Sequence, residues 1–175
     1  MKYAICNETF GEQPFVEAFA LAKRLGYSGI EIAPFTLDSS AEPFDMRSIS
    51  KSQLHDVAQQ ARNAGLDVVG LHWLLAKTEG FHLTSPEEKI RRETTSYLKT
   101  LTETCAELGG NIMVLGSPQQ RNLLPGVSYE DGEQFAAEVL AQVVPTLEAC
   151  NVTLALEPLG PAEGNFMNTA ASAVR

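Results

Sequence analysis

One pattern recurs along this 175-residue chain: the end of an amphipathic helix, a single turn residue, then a short β-rich run. It reads AKRLGYSGIEIAP at 22–34, ARNAGLDVVGLHWLL at 61–75, CAELGGNIMVLGSP at 105–118 and EACNVTLALEP at 148–158. The turn residues, Gly26, Gly65, Gly109 and Asn151, recur at intervals of 39, 44 and 42 residues. Glycine and asparagine are the residues that accept a left-handed backbone just past a helix. The runs after them are rich in Ile, Val and Leu, as strands covered by helices should be.

The intervening segments have helical periodicity. Phe15, Ala18, Phe19, Ala22 and Leu25 share one face after Pro14, a good first-turn residue, and Leu54, Val57, Ala58, Ala61 and Ala64 share another. A third helix is predicted to open on Ser85 as N-cap, with Pro86 in its first turn and Glu88 completing a capping box. It continues through Ile90, Tyr97, Leu98, Leu101, Cys105 and Leu108. A fourth spans 131–149, with Phe135, Val139, Leu140, Val143 and Leu147 inward and Pro145 as a source of bending. A fifth begins near Asn168 or Thr169. With the opening run YAICN, the pattern predicts five strands near 3–7, 28–33, 67–73, 111–116 and 153–158, each followed by a helix.

Such alternation implies a parallel sheet with right-handed crossovers. An open doubly wound sheet would carry a glycine-rich phosphate turn after its first strand, and CNETFGEQP is not one. The expected class is therefore α/β, a (β/α)₈ TIM barrel of which this chain supplies about five βα units. Eight units of this size need about 280 residues, within the barrel range. Residues 1–175 read as the N-terminal five-eighths of one barrel domain, the sequence stopping inside the fifth helix.

Composition narrows the function classes. Apolar residues make up 44% and charged residues 20%, as in an ordinary globular protein. A net charge of −9 argues against nucleic acid and anionic membranes as partners. The start MKYAICNETFGEQ reads as a poor signal peptide, no apolar run approaches the ~20 residues of a membrane span, and Cys6, Cys105 and Cys150 form no CxxC pair. The expectation is a cytoplasmic protein with reduced cysteines, its partner a small molecule, with self-association into a homo-oligomer left open.

Barrel active sites form at the C-terminal strand ends. Alternation places Thr153, Ala155 and Glu157 toward the barrel axis, with Gly29 and Glu31 on the second strand and Gly70 and His72 on the third. Glu31, His72 and Glu157 thus converge, although Glu31 could equally be a structural ion-pair member and His72 a hydrogen-bonded core histidine. Gln120 and Arg121 follow the fourth strand directly, where loops contact ligands, and are expected at the mouth of the site. His55 and His82 read as surface residues.

The stretch EPLGPAEGNFMNT at 157–169, supported by GIEI at 29–32, resembles the fifth-strand signature of the D-tagatose 3-epimerase-like sugar isomerases and epimerases. These belong to the xylose isomerase-like barrel superfamily. The resemblance implies a metal-dependent isomerase or epimerase of a sugar or sugar phosphate, abstracting a proton next to a ketose carbonyl through an enediolate. It implies Glu157 as catalytic acid/base and ligand of a divalent metal, with Glu163 contacting the substrate near its carbonyl. His72, Glu31 and Arg121 join Glu163 as candidate substrate-binding residues. Oxygen ligands with one imidazole suit Mn²⁺, Mg²⁺ or Co²⁺. The family's other ligands, an Asp, a His and a second Glu, lie on later strands, beyond Arg175. Here Gly160-Pro161-Ala162 stand between the two glutamates, where family members often carry polar or aromatic residues, so sugar identity, phosphorylation and reaction subtype stay open. Rival readings are a dehydratase of the inosose type, and a non-catalytic sugar-binding barrel. An apurinic-site endonuclease needs strand-end histidines that Gly116-Ser117-Pro118 does not supply.

Overall fold

A computed structural model describes residues 1–174. Five strands, β1 (Ala4–Cys6), β2 (Gly29–Ile32), β3 (Asp67–Leu71), β4 (Ile112–Leu115) and β5 (Thr153–Leu156), form one sheet. All neighbouring pairs are parallel and their order is sequential, with no reversal at a switch point. This is barrel topology, as the alternation predicted. The helices are α1 (Phe15–Arg24), α2 (Lys51–Asn63), α3 (Glu88–Glu107), α4 (Tyr129–Cys150) and α5 (Ala170–Val174).

The repeated turn has one physical basis at all four joints. Gly26, Gly65, Gly109 and Asn151 have φ of +95°, +74°, +90° and +54°. At each joint the next amide donates back to a carbonyl five residues earlier: Tyr27 to Ala22 (3.1 Å), Leu66 to Ala61 (3.0 Å), Gly110 to Cys105 (2.9 Å) and Val152 to Leu147 (2.9 Å). This Schellman arrangement satisfies orphan helix carbonyls and turns the chain into the following strand.

The two sheet faces differ in burial. Ile32, Leu71, Met113 and Leu115 lie under the helices, packed with Phe19, Leu98, Leu101, Val139 and Val143 in one core. On the other face Thr153 and Ala155 are exposed, and Ile112 retains 37% of its surface. One irregularity escaped the sequence reading. Ile30 pairs with Val68 but Glu31 with Gly70, so Val69 is an extra, bulged residue on β3.

Helix starts need correction. Ser85 does not cap α3, which begins at Glu88; its Oγ accepts from the Glu87 amide (3.2 Å). Arg91 donates to the Ser85 and Pro86 carbonyls (2.8 and 3.0 Å), holding that segment as a separate turn. The capping box sits instead on α2, between Ser50 and Gln53. Ser128 caps α4 through the Asp131 amide (3.1 Å), starting it before the predicted 131, and Pro145 lies within that helix. Leu25 is 62% exposed rather than core-facing. The three cysteines are free, and burial pushes the Cys6 and Cys105 thiols up to about 11. Among the described residues no helix is long and apolar enough to cross a membrane.

Candidate active site

Glu157 stands one residue beyond β5. Its amide donates to the Leu115 carbonyl (3.2 Å), the last rung of the β4–β5 ladder, because the next amide in phase, that of Leu159, turns to the Met167 carbonyl (3.3 Å). The Glu157 carboxylate then lies across Gly116. A Cβ on Gly116 would fall on Glu157 Oε2 and come within 3.1 Å of Cδ, so only glycine leaves room for the carboxylate there. Among the described residues this half-buried carboxylate has no hydrogen-bond or ion-pair partner. A carboxylate kept in place without a partner is costly unless a ligand completes it.

Glu157 opens into a cavity of about 140 Å³ shared with His72, Trp73, Ser117, Leu159 and Glu163. His72 follows β3 directly and its amide donates to the Ile32 carbonyl (3.1 Å). Its Nδ1 lies 3.6 Å from Glu31 Oε2, with each side chain 25% exposed. Glu31 therefore braces His72, and His72 rather than Glu31 lines the cavity. Glu163 is exposed, its Oε2 accepting from the Gly160 amide (3.2 Å). Asn168 closes this turn by donating to the Leu159 and Gly164 carbonyls (2.8 and 2.9 Å).

Arg121 is not at the mouth. It is 1% exposed, beneath the strand ends, and its Nη1 donates to the carbonyls of Leu115 (3.2 Å) and Glu157 (2.7 Å). Burial pulls its pKa below the ordinary arginine value, opposed by the charges of Glu157, Glu163 and Tyr129. Gln120, half-buried, lines a neighbouring cavity with Trp73 and Lys77. His55 is exposed as expected, but His82 is half-buried, which lowers its pKa against the effect of the Gln119 backbone.

Two residues of the site were missed in the sequence. Gly116 reads only as a strand terminator, although its place on the rung beside Glu157 was a usable signal. Trp73, the only tryptophan, has φ +58° and is 40% exposed, with its ring 5.9 Å from that of His72. A bulky residue in the left-handed region is strained, and such strain gathers at functional sites. A larger cavity, about 510 Å³, lies among the loops after β1 and β2, where Lys77 Nζ sits 4.8 Å from the Phe35 ring centroid. It lacks the convergence of strand-end side chains that marks the smaller one.

A family model described as xylose isomerase-like TIM barrel matches residues 19–175. The chain belongs to that family. A curated relative, a probable ketose 3-epimerase from Synechocystis sp., is 26% identical over 166 residues, covering 94% of this chain and 52% of its own. A solved D-psicose 3-epimerase from Clostridium cellulolyticum H10, with D-tagatose, superposes with a TM-score of 0.82 at 19% identity, over 99% of this chain and 58% of that one. A 3-keto-D-glucoside 4-epimerase from E. coli superposes at 0.77 with 20% identity, over 100% of this chain and 62% of its own. The chain thus spans about half the length of the curated relative it matches.

Proposed function

We propose that this chain carries the Glu157 half of a sugar epimerase site, acting on a ketose at the carbon next to its carbonyl. The observation that carries this reading is the unpartnered Glu157 carboxylate, seated over Gly116 in one cavity with His72 and Glu163. Relatives named as ketose, psicose and keto-glucoside epimerases support the substrate class. Glu157, as base, takes the proton from that carbon, and the electron pair moves onto the carbonyl oxygen to give an enediolate. A second acid on the opposite face, assigned to the other half of the site, would return a proton there and invert the centre, while Glu157 keeps the proton it took. Glu163 and His72 hold the hydroxyl groups, with Glu31 fixing the His72 ring.

The Glu157 oxygens, free of protein partners, also fit one position on a divalent metal such as Mn²⁺, Mg²⁺ or Co²⁺. Among the described residues no three His, Cys, Asp or Glu side chains gather closely enough to hold an ion by themselves. A metal bound there would polarise the carbonyl oxygen. Incubating the protein with a panel of free and phosphorylated ketoses in D₂O, with Mn²⁺, tests the reading. Deuterium entering the carbon next to the carbonyl, with the epimer accumulating, is the expected result. A dehydrated product would point to the dehydratase, and no exchange on any sugar would refute the proposal.

Trp73 gives a separable prediction. Its indole, half open to the same cavity, suits the apolar face of a sugar. Trp73→Gly removes that face while relieving about 1 kcal/mol of backbone strain. KM should rise roughly 3–10-fold, in line with a stacking contribution of ~0.5–1.5 kcal/mol, with kcat and melting temperature held or slightly raised. An unchanged KM would remove Trp73 from the binding site.

A further inference from the structure

We infer that Arg121 is a positioning residue for Glu157: its buried guanidinium clamps the diverging ends of β4 and β5 and so fixes where the Glu157 carboxylate stands. The inference rests on the reading of Glu157 as the working carboxylate. Beyond the Glu157 amide the β4–β5 ladder does not continue, because the next amide in phase, that of Leu159, donates to the Met167 carbonyl (3.3 Å) instead, and the Glu157 carbonyl is left off the ladder. Arg121 Nη1 fills the gap. It bridges the Leu115 carbonyl at 3.2 Å and the Glu157 carbonyl at 2.7 Å, so one nitrogen joins both strands at the rung where the carboxylate departs.

The clamp is itself held. Thr84, with no exposed surface, donates from Oγ1 to the carbonyls of Arg121 (3.2 Å) and Asn122 (3.1 Å). The Leu83 amide donates to the Gln120 carbonyl at 2.7 Å. The loop after β3 therefore fixes the loop after β4, which fixes the end of β5. A neutral donor could have satisfied the two carbonyls. Instead the fold buries a charged side chain whose Nη2 finds no acceptor among the described residues, an arrangement that costs free energy. No ion pair joins it directly to Glu157 or Glu163 among the described residues, yet both carboxylates favour its charged form. The guanidinium thus supplies rigidity and a fixed positive charge under a pair of acidic groups, without occupying the cavity that they line.

The test compares Arg121→Met and Arg121→Lys with the unaltered protein, carried in the full natural chain. Three quantities are read: ketose epimerisation, Mn²⁺ affinity by titration, and amide hydrogen exchange at Glu157. Loss of the clamp should speed exchange at the Glu157 amide roughly 10–100-fold, leaving the Ala155 amide, which faces β4 one rung earlier, protected. For Arg121→Met, kcat and Mn²⁺ affinity should each fall roughly 10–100-fold, with KM changing less than about threefold. Arg121→Lys, which keeps a charge and a donor, should recover part of both losses. If Arg121→Met fails to fold, Thr84→Val loosens the same loop without stranding a charge, and should give smaller losses of the same sign. A folded variant with unchanged exchange, kcat and Mn²⁺ affinity would overturn the inference. So would a rise in KM alone, which would make Arg121 a substrate contact. Exchange requires no reaction: unaltered protein inactive on every ketose, with Glu157 exchange still dependent on Arg121, would sink the epimerase reading and spare the clamp.

Discussion

Replacing Glu157 with glutamine is expected to lower ketose turnover by roughly 10²–10⁴-fold, the range for a lost general base. The amide keeps the shape of the side chain, including its seat over Gly116, and removes both the negative charge and the basic oxygen. Mn²⁺ affinity should fall with turnover. Thermal stability should change little, because the carboxylate has no hydrogen-bond or ion-pair partner among the described residues and loses only its through-space attraction for buried Arg121. The opposite pattern identifies a structural carboxylate: breaking a buried ion pair costs about 3–5 kcal/mol and would spare metal binding in the surviving fold. Melting curves with and without Mn²⁺, beside the turnover assay, separate the two outcomes.

Gly116→Ala should have the second largest effect, and it acts on Glu157 without touching it chemically. The added methyl would occupy the position of Glu157 Oε2. Because the methyl is fixed to backbone, the glutamate must swing away. A displacement of about 1 Å at a reacting group can cost on the order of 10²-fold in rate. Stability should change little, because what must move is the far end of a flexible side chain rather than backbone. Gly160→Ala is the matched control. There the new Cβ would meet Glu163 Oε2 at 3.6 Å, an ordinary contact, and activity should stay near that of the unaltered protein. Equal losses in the two variants would mean that the close approach at Gly116 does not govern the site.

The joint between α4 and β5 shows how far sequence reading reaches. Asn151 alone marks the turn, and its left-handed φ of +54° with the Val152-to-Leu147 hydrogen bond follows from it. The position of Glu157 at a strand end also followed, since Pro158 marks the end of the strand and alternation gives the face. Pairing of His72 with Glu31 needed one further step: β2 and β3 had to be neighbours, which right-handed crossovers between consecutive strands supply. The start of α3 was misplaced, because Ser85 has the right chemistry for an N-cap. Arg91, binding the Ser85 and Pro86 carbonyls, draws that segment into its own turn. The competing interaction is a side chain's choice of acceptor, which no propensity encodes.

Arg121 marks the limit most clearly. A polar loop residue after a strand is ordinarily solvated, and this one is 1% exposed. Its destination depends on two carbonyls, Leu115 and Glu157, that come together only when β4 pairs with β5. What the sequence determined by itself was everything set within a few residues: the four helix-ending turns, the strands that follow them, their alternating faces, and a carboxylate stopped by proline. The tertiary structure decided what depends on the alignment of strands some forty residues apart: the bulge at Val69, the close approach of the Glu157 carboxylate to Gly116, the strained Trp73, and the buried clamp. The reason is physical. Helix ends and strand faces are fixed by short-range hydrogen bonds and sterics carried in adjacent residues. Which atoms meet across strands is fixed by register and packing, properties of the assembled sheet.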